Sequence, residues 1–227
     1  MKQFVVDSST LITISGNCMI RLFKHLAEME GIAFIIPESV YRESVATPVK
    51  IKKFELNAIR IRDAVEEGYL KVVKTTPLVK KKMNELQAIS AKICGTKECH
   101  NIRLIDEGES ETLALIKQMN CDALVIDERT TRMLIEEPEQ LRSYLERRHQ
   151  KRVELDRNSL AEFRQSFGDI PVFRSIELIA LAYENGSFAK EMHKSKQSLE
   201  AALYAAKFAG ASVSFDEIND YLKMVRN

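Results

Sequence analysis

Turn-forming residues are scarce in this sequence. Its 227 residues include only 8 Gly and 5 Pro, and Trp is absent. Because an all-β fold of many short strands needs Gly- and Pro-rich turns, this scarcity argues against such a fold and favours helices. Hydrophobic residues make up 45% and charged residues 30%, which excludes a disordered chain and allows one sizeable core, alone or with a small appendage.

Long apolar runs are also missing. No stretch approaches the roughly 20 consecutive apolar residues that a membrane span needs. The N-terminal segment MKQFVVDSST has no apolar run of the signal-peptide type. We therefore expect a cytoplasmic protein that does not associate with a membrane.

Cysteine is too sparse and too irregular for a secreted disulfide framework: the positions are Cys18, Cys94, Cys99 and Cys121. Cys94 and Cys99 stand close to His100, which resembles half of a zinc site. No second ligand pair of suitable spacing accompanies them. We expect a local disulfide or two free thiols here rather than zinc.

The charge distribution is more informative than the net charge, which is +1. Residues 46–104 contain 13 Lys and Arg against six acids, whereas residues 105–145 contain ten acids against four bases. A basic flank beside an acidic centre suits a polyanion guided towards a cation site. Exposed helix faces that are simply charged would give the same counts.

Apolar runs and helical patterns alternate in the first two thirds of the chain. Short apolar runs predict buried strands at 4–6, 32–36, 69–73 and 123–126. Helical segments lie between them, which predicts a doubly wound parallel sheet. After Leu145 no strand pattern follows, and three helices are predicted, at 176–183, 189–209 and 215–225. We therefore divide the chain into an α/β domain at 1–145 and a C-terminal helical extension at 146–227.

Acidic residues cluster at the ends of these predicted strands. Asp7 and Asp127 directly follow the first and last strands, Glu43 lies in the helix after the second, and Glu109 and Glu111 open the helix before the last. In an open parallel sheet the carboxyl ends of the strands face one crevice, so we expect these carboxylates to converge. Their repulsion would be removed by a hard divalent cation, and an oxygen-only ligand set selects Mg²⁺ or Mn²⁺. Such a site predicts hydrolysis of phosphodiester bonds.

Each of these acids also has a purely structural explanation. Asp7 could cap the following helix, and Asp127 could begin a turn. Glu109 and Glu111 could favour the positive end of a helix, and Glu43 could be a solvated helix residue. The joint placement after successive strands favours the metal site over these separate explanations.

Four segments lie in order over about residues 3–135: VVDSSTLI, IPESVYRES, GESETLALI and LVIDERTTR. Together they resemble the PIN-domain ribonucleases, a family that includes toxin nucleases of prokaryotic toxin–antitoxin modules. The resemblance implies a three-layer α/β/α fold around a central parallel sheet of about four to five strands.

The resemblance also implies roles for individual residues. The catalytic metal ligands for Mg²⁺ or Mn²⁺ would be Asp7, Glu43, Glu109 and Asp127, with Glu111 as an additional ligand. For substrate binding we predict Ser8, Ser9, Arg129 and Arg132, with the lysine runs at 50–53 and 80–82 contacting RNA phosphates. Many relatives carry another acid where this chain has Arg129, which weakens the case for a second metal ion.

The implied activity is a metal-dependent endoribonuclease that leaves a 5′-phosphate and a 3′-hydroxyl, with the toxin of a toxin–antitoxin module as one form of it. The expected partners are RNA, an antitoxin protein and a second copy of the chain in a homodimer. Two alternatives stay open. One is a PIN-fold RNA-binding or scaffold protein with little or no activity, and the other is a structure-specific DNA nuclease, suggested by the GESE motif.

Overall fold

A central parallel sheet organises the structure, a computed structural model that describes residues 1–96 and 102–225. Its strands are β1 (Lys2–Val6), β2 (Ile32–Pro37), β3 (Leu70–Val73), β5 (Ala123–Val125) and β7 (Val172–Phe173). They lie in the order β3–β2–β1–β5–β7, and every pairing is parallel. A separate antiparallel pair joins β4 (Cys94–Gly95) to β6 (Glu154–Leu155). The predicted α/β fold with a parallel sheet of about four to five strands is confirmed.

Helices cover both faces of this sheet. In chain order they are α1 (Ser8–Gly16), α2 (Leu22–Glu30), α3 (Glu38–Tyr41), α4 (Glu55–Glu66), α5 (Pro77–Ile93), α6 (Glu107–Met119), α7 (Arg129–Glu136), α8 (Pro138–His149), α9 (Arg157–Phe167), α10 (Ser175–Glu184), α11 (Lys196–Ala209) and α12 (Phe215–Met224). A π-helical segment, Arg42–Ala46, continues α3, and short 3₁₀ turns occupy Pro48–Lys50 and Ser187–Lys190. None of the helices in residues 1–96 and 102–225 combines the length and apolarity that a bilayer crossing requires.

The apolar strands are continuous because both of their faces are buried. Along β1, Phe4 and Val6 pack into one hydrophobic cluster, and Val5 packs into the other, on the opposite face. Successive side chains of a strand point to opposite faces, so the run Phe-Val-Val serves both helical layers. The first cluster includes side chains of α1, α2, α4, α10 and α11, and the second those of α5, α6, α8 and α9.

Helix boundaries follow the stop signals of the sequence in most places. Helix α1 ends at Gly16, and Cys18 beyond it adopts a positive φ of 60°. Gly31 ends α2 with φ 65°, a conformation that costs little without a Cβ. Helix α6 begins at Glu107, where Asp106 and Glu109 form a capping box.

The expectation of helices alone after residue 145 is wrong. Strand β7 pairs with β5 in the central sheet, with Leu124 opposite Val172, and β6 pairs with β4. Helix α9 packs on α5 and α6, while α10 packs on α1 and α2. The chain on both sides of the predicted boundary at 145/146 therefore builds the same sheet and the same two helical layers.

The cysteines described by the structure are free thiols. Cys94 is buried in β4, and burial raises the pKa of its thiol to about 11. Cys18 and Cys121 are also unpaired. Cys99 and His100, the other members of the half zinc site considered above, lie outside the described residues.

Candidate metal centre

Asp7 ends the first strand and caps the helix that follows. Its Oδ2 accepts hydrogen bonds from the backbone N–H of Ser9 at 3.0 Å and from the Ser9 hydroxyl at 2.7 Å. The side chain is only 3% exposed. Burial raises its pKa to about 6 although the Ser9 hydrogen bonds lower it, and the charge of Asp106 adds to the increase. Asp7 is therefore both a helix cap and a buried carboxyl with an unfavourable charge.

Asp127 occupies the equivalent place after β5 and is 1% exposed. Its Oδ1 accepts the N–H of Ser175, at the start of α10, at 2.8 Å. Its Oδ2 is buried and has no hydrogen-bond partner in the part of the chain that the structure describes. Burial raises the pKa of Asp127, against the opposing effects of the Ser175 N–H and the nearby Thr13 hydroxyl.

Ser9 connects these two strand ends. Its hydroxyl donates to Asp7 and accepts the backbone N–H groups of Asp127 and Glu128, at 3.0 and 3.2 Å. Because β1 and β5 are neighbours in the sheet, one hydroxyl can reach the carboxyl ends of both. Ser9 thereby fixes the carboxylate of Asp7 relative to the backbone of Asp127.

Glu43 reaches the same edge of the sheet from the π-helical segment after β2. This segment closes with a wide turn, in which the N–H of Thr47 donates to the carbonyl of Arg42 at 3.0 Å. Such single π-helical turns often occur at functional sites. Burial and the charges of Asp106 and Asp7 raise the pKa of Glu43, and the Ser8 hydroxyl lowers it.

Gly108 leaves the space into which the Glu43 carboxylate packs. A Cβ at position 108 would stand 2.9 Å from Glu43 Oε2, closer than a real Cβ approaches any heavy atom. Gly108 has no positive φ, so the residue is not needed for its backbone conformation. The glycine of the GESE motif therefore permits the contact between α6 and Glu43.

Glu109 and Asp106 cap the start of α6 reciprocally. Asp106 Oδ1 accepts the N–H of Glu109 at 3.0 Å, and Glu109 Oε2 accepts the N–H of Asp106 at 2.5 Å. Burial, followed by the charge of Asp106, holds the pKa of Glu109 well above its ordinary value, and Glu128 and Asp7 add to the increase. The structural explanation for Glu109 is thus confirmed, and its carboxyl still lies within the electrostatic reach of Asp7.

Glu111 projects away from these acids. It is 1% exposed, and its Oε2 accepts the N–H of Ser39 at 2.9 Å while its other oxygen accepts the hydroxyl of Thr75. Two residues along a helix correspond to a rotation of roughly 200°, so Glu109 and Glu111 cannot face the same side. Glu111 joins the start of α3 to the connection after β3, and its predicted role as an additional ligand stays a prediction.

Comparison with known proteins identifies the family. A family model described as a PIN domain matches residues 3–140, more than half of the chain. The chain belongs to the PIN-domain family. PIN domains are in general nucleases of the hydrolase class, and they use divalent metal ions. No curated protein and no solved structure matches the chain.

The donor atoms of this PIN domain fit a hard divalent cation in kind. All are carboxylate oxygens, and Asp127 offers a buried oxygen without a partner. In residues 1–96 and 102–225, however, no three acidic, His or Cys side chains already form a group that could hold a metal ion. Glu109 Oε2 in particular is already engaged with the Asp106 N–H.

Arg129 and Arg132 face the C-terminal part of the PIN-domain protein. Arg129 Nε donates to the Ser212 hydroxyl at 3.0 Å, and its guanidinium lies 5.6 Å from the ring centre of Tyr144. Arg132 pairs with Glu136 at 3.0 Å and also reaches Ser212. Both arginines hold the loop after α11 against α7, and their contact with RNA stays a prediction.

The sequence interpretation missed two members of this centre. The charge of Asp106 raises the pKa of Asp7, Glu43 and Glu109 alike. Its position one helical turn before Glu109 was the available signal. Ser175 contributes through its backbone N–H, for which a sequence offers no signal.

Proposed function

We propose that this PIN domain is a Mg²⁺- or Mn²⁺-dependent endoribonuclease. One observation carries the proposal: Asp7, Glu43 and Glu109 come from three separate segments, and burial together with the nearby charge of Asp106 raises the pKa of each. Buried like charges destabilise a fold, and a divalent cation turns that repulsion into attraction. A nuclease site explains why the chain keeps them together.

The residues of the centre have two proposed roles: some would hold the metal ion, and others position those ligands. Asp7, Glu43, Glu109 and Asp127 would hold the ion, with Asp106 as a further oxygen donor. When bound, such an ion supplies Lewis acidity and neutralises charge at the scissile phosphate. Ser9 positions Asp7, and the Ser175 N–H positions Asp127. Glu111 acts on the same centre by fixing the start of α3, the helix that leads to Glu43.

RNA is proposed as the substrate because of the sequence resemblance, and the lysine-rich flank at 46–104 suits a polyanion. The toxin role, an antitoxin partner and a homodimer belong to this proposal through the resemblance alone. A structure-specific DNA nuclease shares the metal chemistry, so the choice between RNA and DNA needs a direct comparison of substrates.

The test is Asp7→Asn in the full chain, assayed on labelled single-stranded RNA with Mg²⁺ or Mn²⁺. Asparagine keeps the shape and the helix cap but loses the charge, so cleavage should fall at least about a hundredfold with an unchanged circular dichroism spectrum. Asp63→Asn, on the exposed side of α4, is the matched control and should cleave like wild type. An Asp7→Asn protein that cuts RNA at the wild-type rate rules out the proposed centre.

Two further measurements decide among the alternatives. Millimolar Mn²⁺ should raise the melting midpoint of wild type and leave that of Asp7→Asn unchanged, since only a site in the folded state adds stability. Absence of both a shift and cleavage would support the RNA-binding or scaffold protein. Cleavage of a flapped DNA beside intact RNA would support the DNA nuclease.

A further inference from the structure

A cavity of about 630 Å³ opens beside the acidic residues of the candidate metal centre. Asp106, Glu109 and Glu128 contribute to its lining, together with the basic side chains of Arg103 and Arg148. The cavity therefore combines the carboxylates that would hold a cation with guanidinium groups that attract an anion. The metal centre alone does not explain why basic side chains lie beside its carboxylates.

Arg148 reaches the cavity because of its position on α8. Leu141 and Leu145 anchor this helix in the core, and Arg148 lies one helical turn beyond Leu145 on the same side. Arg147, two residues after Leu145, points elsewhere and is not part of the lining. Cations interact favourably with a helix C-terminus. This applies to both arginines, so it does not explain why Arg148 lines the cavity and Arg147 does not.

Arg103 and Arg148 are not neutralised by the carboxylates of the cavity in the part of the chain that the structure describes. Within the described ranges, neither Arg103 nor Arg148 forms an ion pair with an acid. Arg103 instead donates through Nε to the backbone carbonyl of Ile105 at 3.2 Å. Both guanidinium groups are exposed and therefore accessible to an anion, and guanidinium is well suited to phosphate.

The size of the cavity and its apolar lining restrict the class of ligand that it can bind. Ile102, Leu104 and Leu145 contribute apolar atoms to its lining, and Ile102 is partly exposed, so a nucleobase can pack against it. Its volume lies in the range of pockets for small molecules, about 300–1,000 Å³, and is far below what a double helix occupies. Unpaired RNA bases can be splayed out into such pockets, whereas paired bases cannot.

We propose that this cavity binds one nucleotide of single-stranded RNA next to the scissile phosphate, with Arg103 and Arg148 contacting the phosphate of that nucleotide. The inference rests on the proposed nuclease function and adds the form of the substrate to it. Arg148 lies beyond residue 140, where the match to the PIN-domain family ends. The subsite is therefore a property of this chain and its C-terminal part.

The test measures RNA binding separately from cleavage. Arg148→Gln and the matched control Arg147→Gln are each made in the full-length Asp7→Asn protein, and a fluorescent single-stranded RNA oligonucleotide is titrated at several salt concentrations. Arg148→Gln should weaken binding about tenfold and reduce the slope of log K against log salt by about 0.7, the value for one phosphate contact on a single strand. Arg147→Gln should change neither, and Arg148→Lys should recover the slope because it keeps the charge.

Two outcomes would overturn the inference. One is an equal loss of RNA affinity in Arg148→Gln and Arg147→Gln. Both arginines would then contribute only the general attraction between a basic surface and a polyanion. The other is an equal loss of affinity for duplex RNA of the same sequence, which would exclude a pocket for unpaired nucleotides. Cleavage by wild type is assayed independently, so a protein that binds as expected but never cuts contradicts only the nuclease function.

Discussion

Gly108 is in contact with Glu43, so a substitution at position 108 should affect the stability of the fold and the function of the centre differently. We predict that Gly108→Ala will preserve or raise the thermal midpoint, because alanine favours a helix over glycine by up to about 1 kcal/mol. The same methyl group must displace the Glu43 carboxylate from its present position. Cleavage and the Mn²⁺-dependent rise in midpoint should therefore both decrease.

Gly16→Ala is the control for this substitution. It lies at the end of α1, and its added Cβ would make only an ordinary 3.6 Å contact with the Asn57 side chain. It should keep wild-type cleavage and the wild-type response to Mn²⁺. If Gly108→Ala also keeps both, Glu43 is not needed where the structure places it.

Asp7 gives the metal-free protein a defined pH dependence. Its pKa is about 6 in the folded state against 3.8 as the ordinary value, so the folded state holds the proton more tightly. Ionisation of Asp7 thus reduces the free energy of unfolding as pH rises from about 4 to about 6, by about 3 kcal/mol in total. The raised pKa values of Glu43 and Asp127 act in the same direction.

This dependence is measured by thermal melts in a chelating buffer between pH 4.5 and pH 8. Asparagine at position 7 cannot ionise, so the stability of Asp7→Asn relative to wild type should be about 2 kcal/mol greater at pH 8 than at pH 4.5. A midpoint difference between the two proteins that stays constant across this range would contradict the raised pKa of Asp7.

The sequence predicted the residues of the centre better than their contacts. Asp7 and Asp127 were predictable because each follows a short apolar run directly, and strand ends in a parallel sheet share one edge. The direction of Glu111 was also predictable in principle, since residues two apart on a helix diverge. The rotamer of Glu109 was not, because it depends on competition between the Asp106 N–H and the other acids.

At the scale of elements, Glu111 connects two strand-to-helix junctions. We predict that Glu111→Ala will lower the free energy of unfolding by about 1–3 kcal/mol, because it leaves the buried N–H of Ser39 without an acceptor. Glu111→Gln retains an acceptor for that N–H and should keep both the wild-type midpoint and its rise with Mn²⁺. Urea denaturation and melts with and without Mn²⁺ measure these effects. A Glu111→Gln protein with normal stability and no response to Mn²⁺ would instead make Glu111 a ligand.

Strand β7 is an element that the sequence alone could not predict. The strands β1, β2 and β5 were visible because their apolar runs are buried on both faces. Val172 and Phe173 form a strand of two residues after Pro171, too short to show a period. Their assignment depends on hydrogen bonds to β5, such as the one from the Ile126 N–H to the Phe173 carbonyl at 2.8 Å. Only the assembled sheet supplies that partner.

At the scale of the whole molecule, the predicted division at 145/146 is open to a direct test. We predict that residues 1–145 alone will not melt cooperatively, because they lack β7 beside β5 and the helices α9, α10 and α11 of the two hydrophobic clusters. Circular dichroism melts of this fragment and of the full chain, at equal concentration, provide the comparison. A cooperative transition near the midpoint of the full chain would show that 1–145 is a domain by itself.

The hydrogen bond from Ser175 to Asp127 joins residues that are 48 positions apart in the sequence. During synthesis at about 5–20 residues per second, Asp127 therefore emerges from the ribosome about 2–10 seconds before the N–H group that orients it. Throughout that interval β5 also lacks its outer neighbour in the sheet. The order of translation thus places the completion of the acidic centre after the synthesis of β7 and the start of α10.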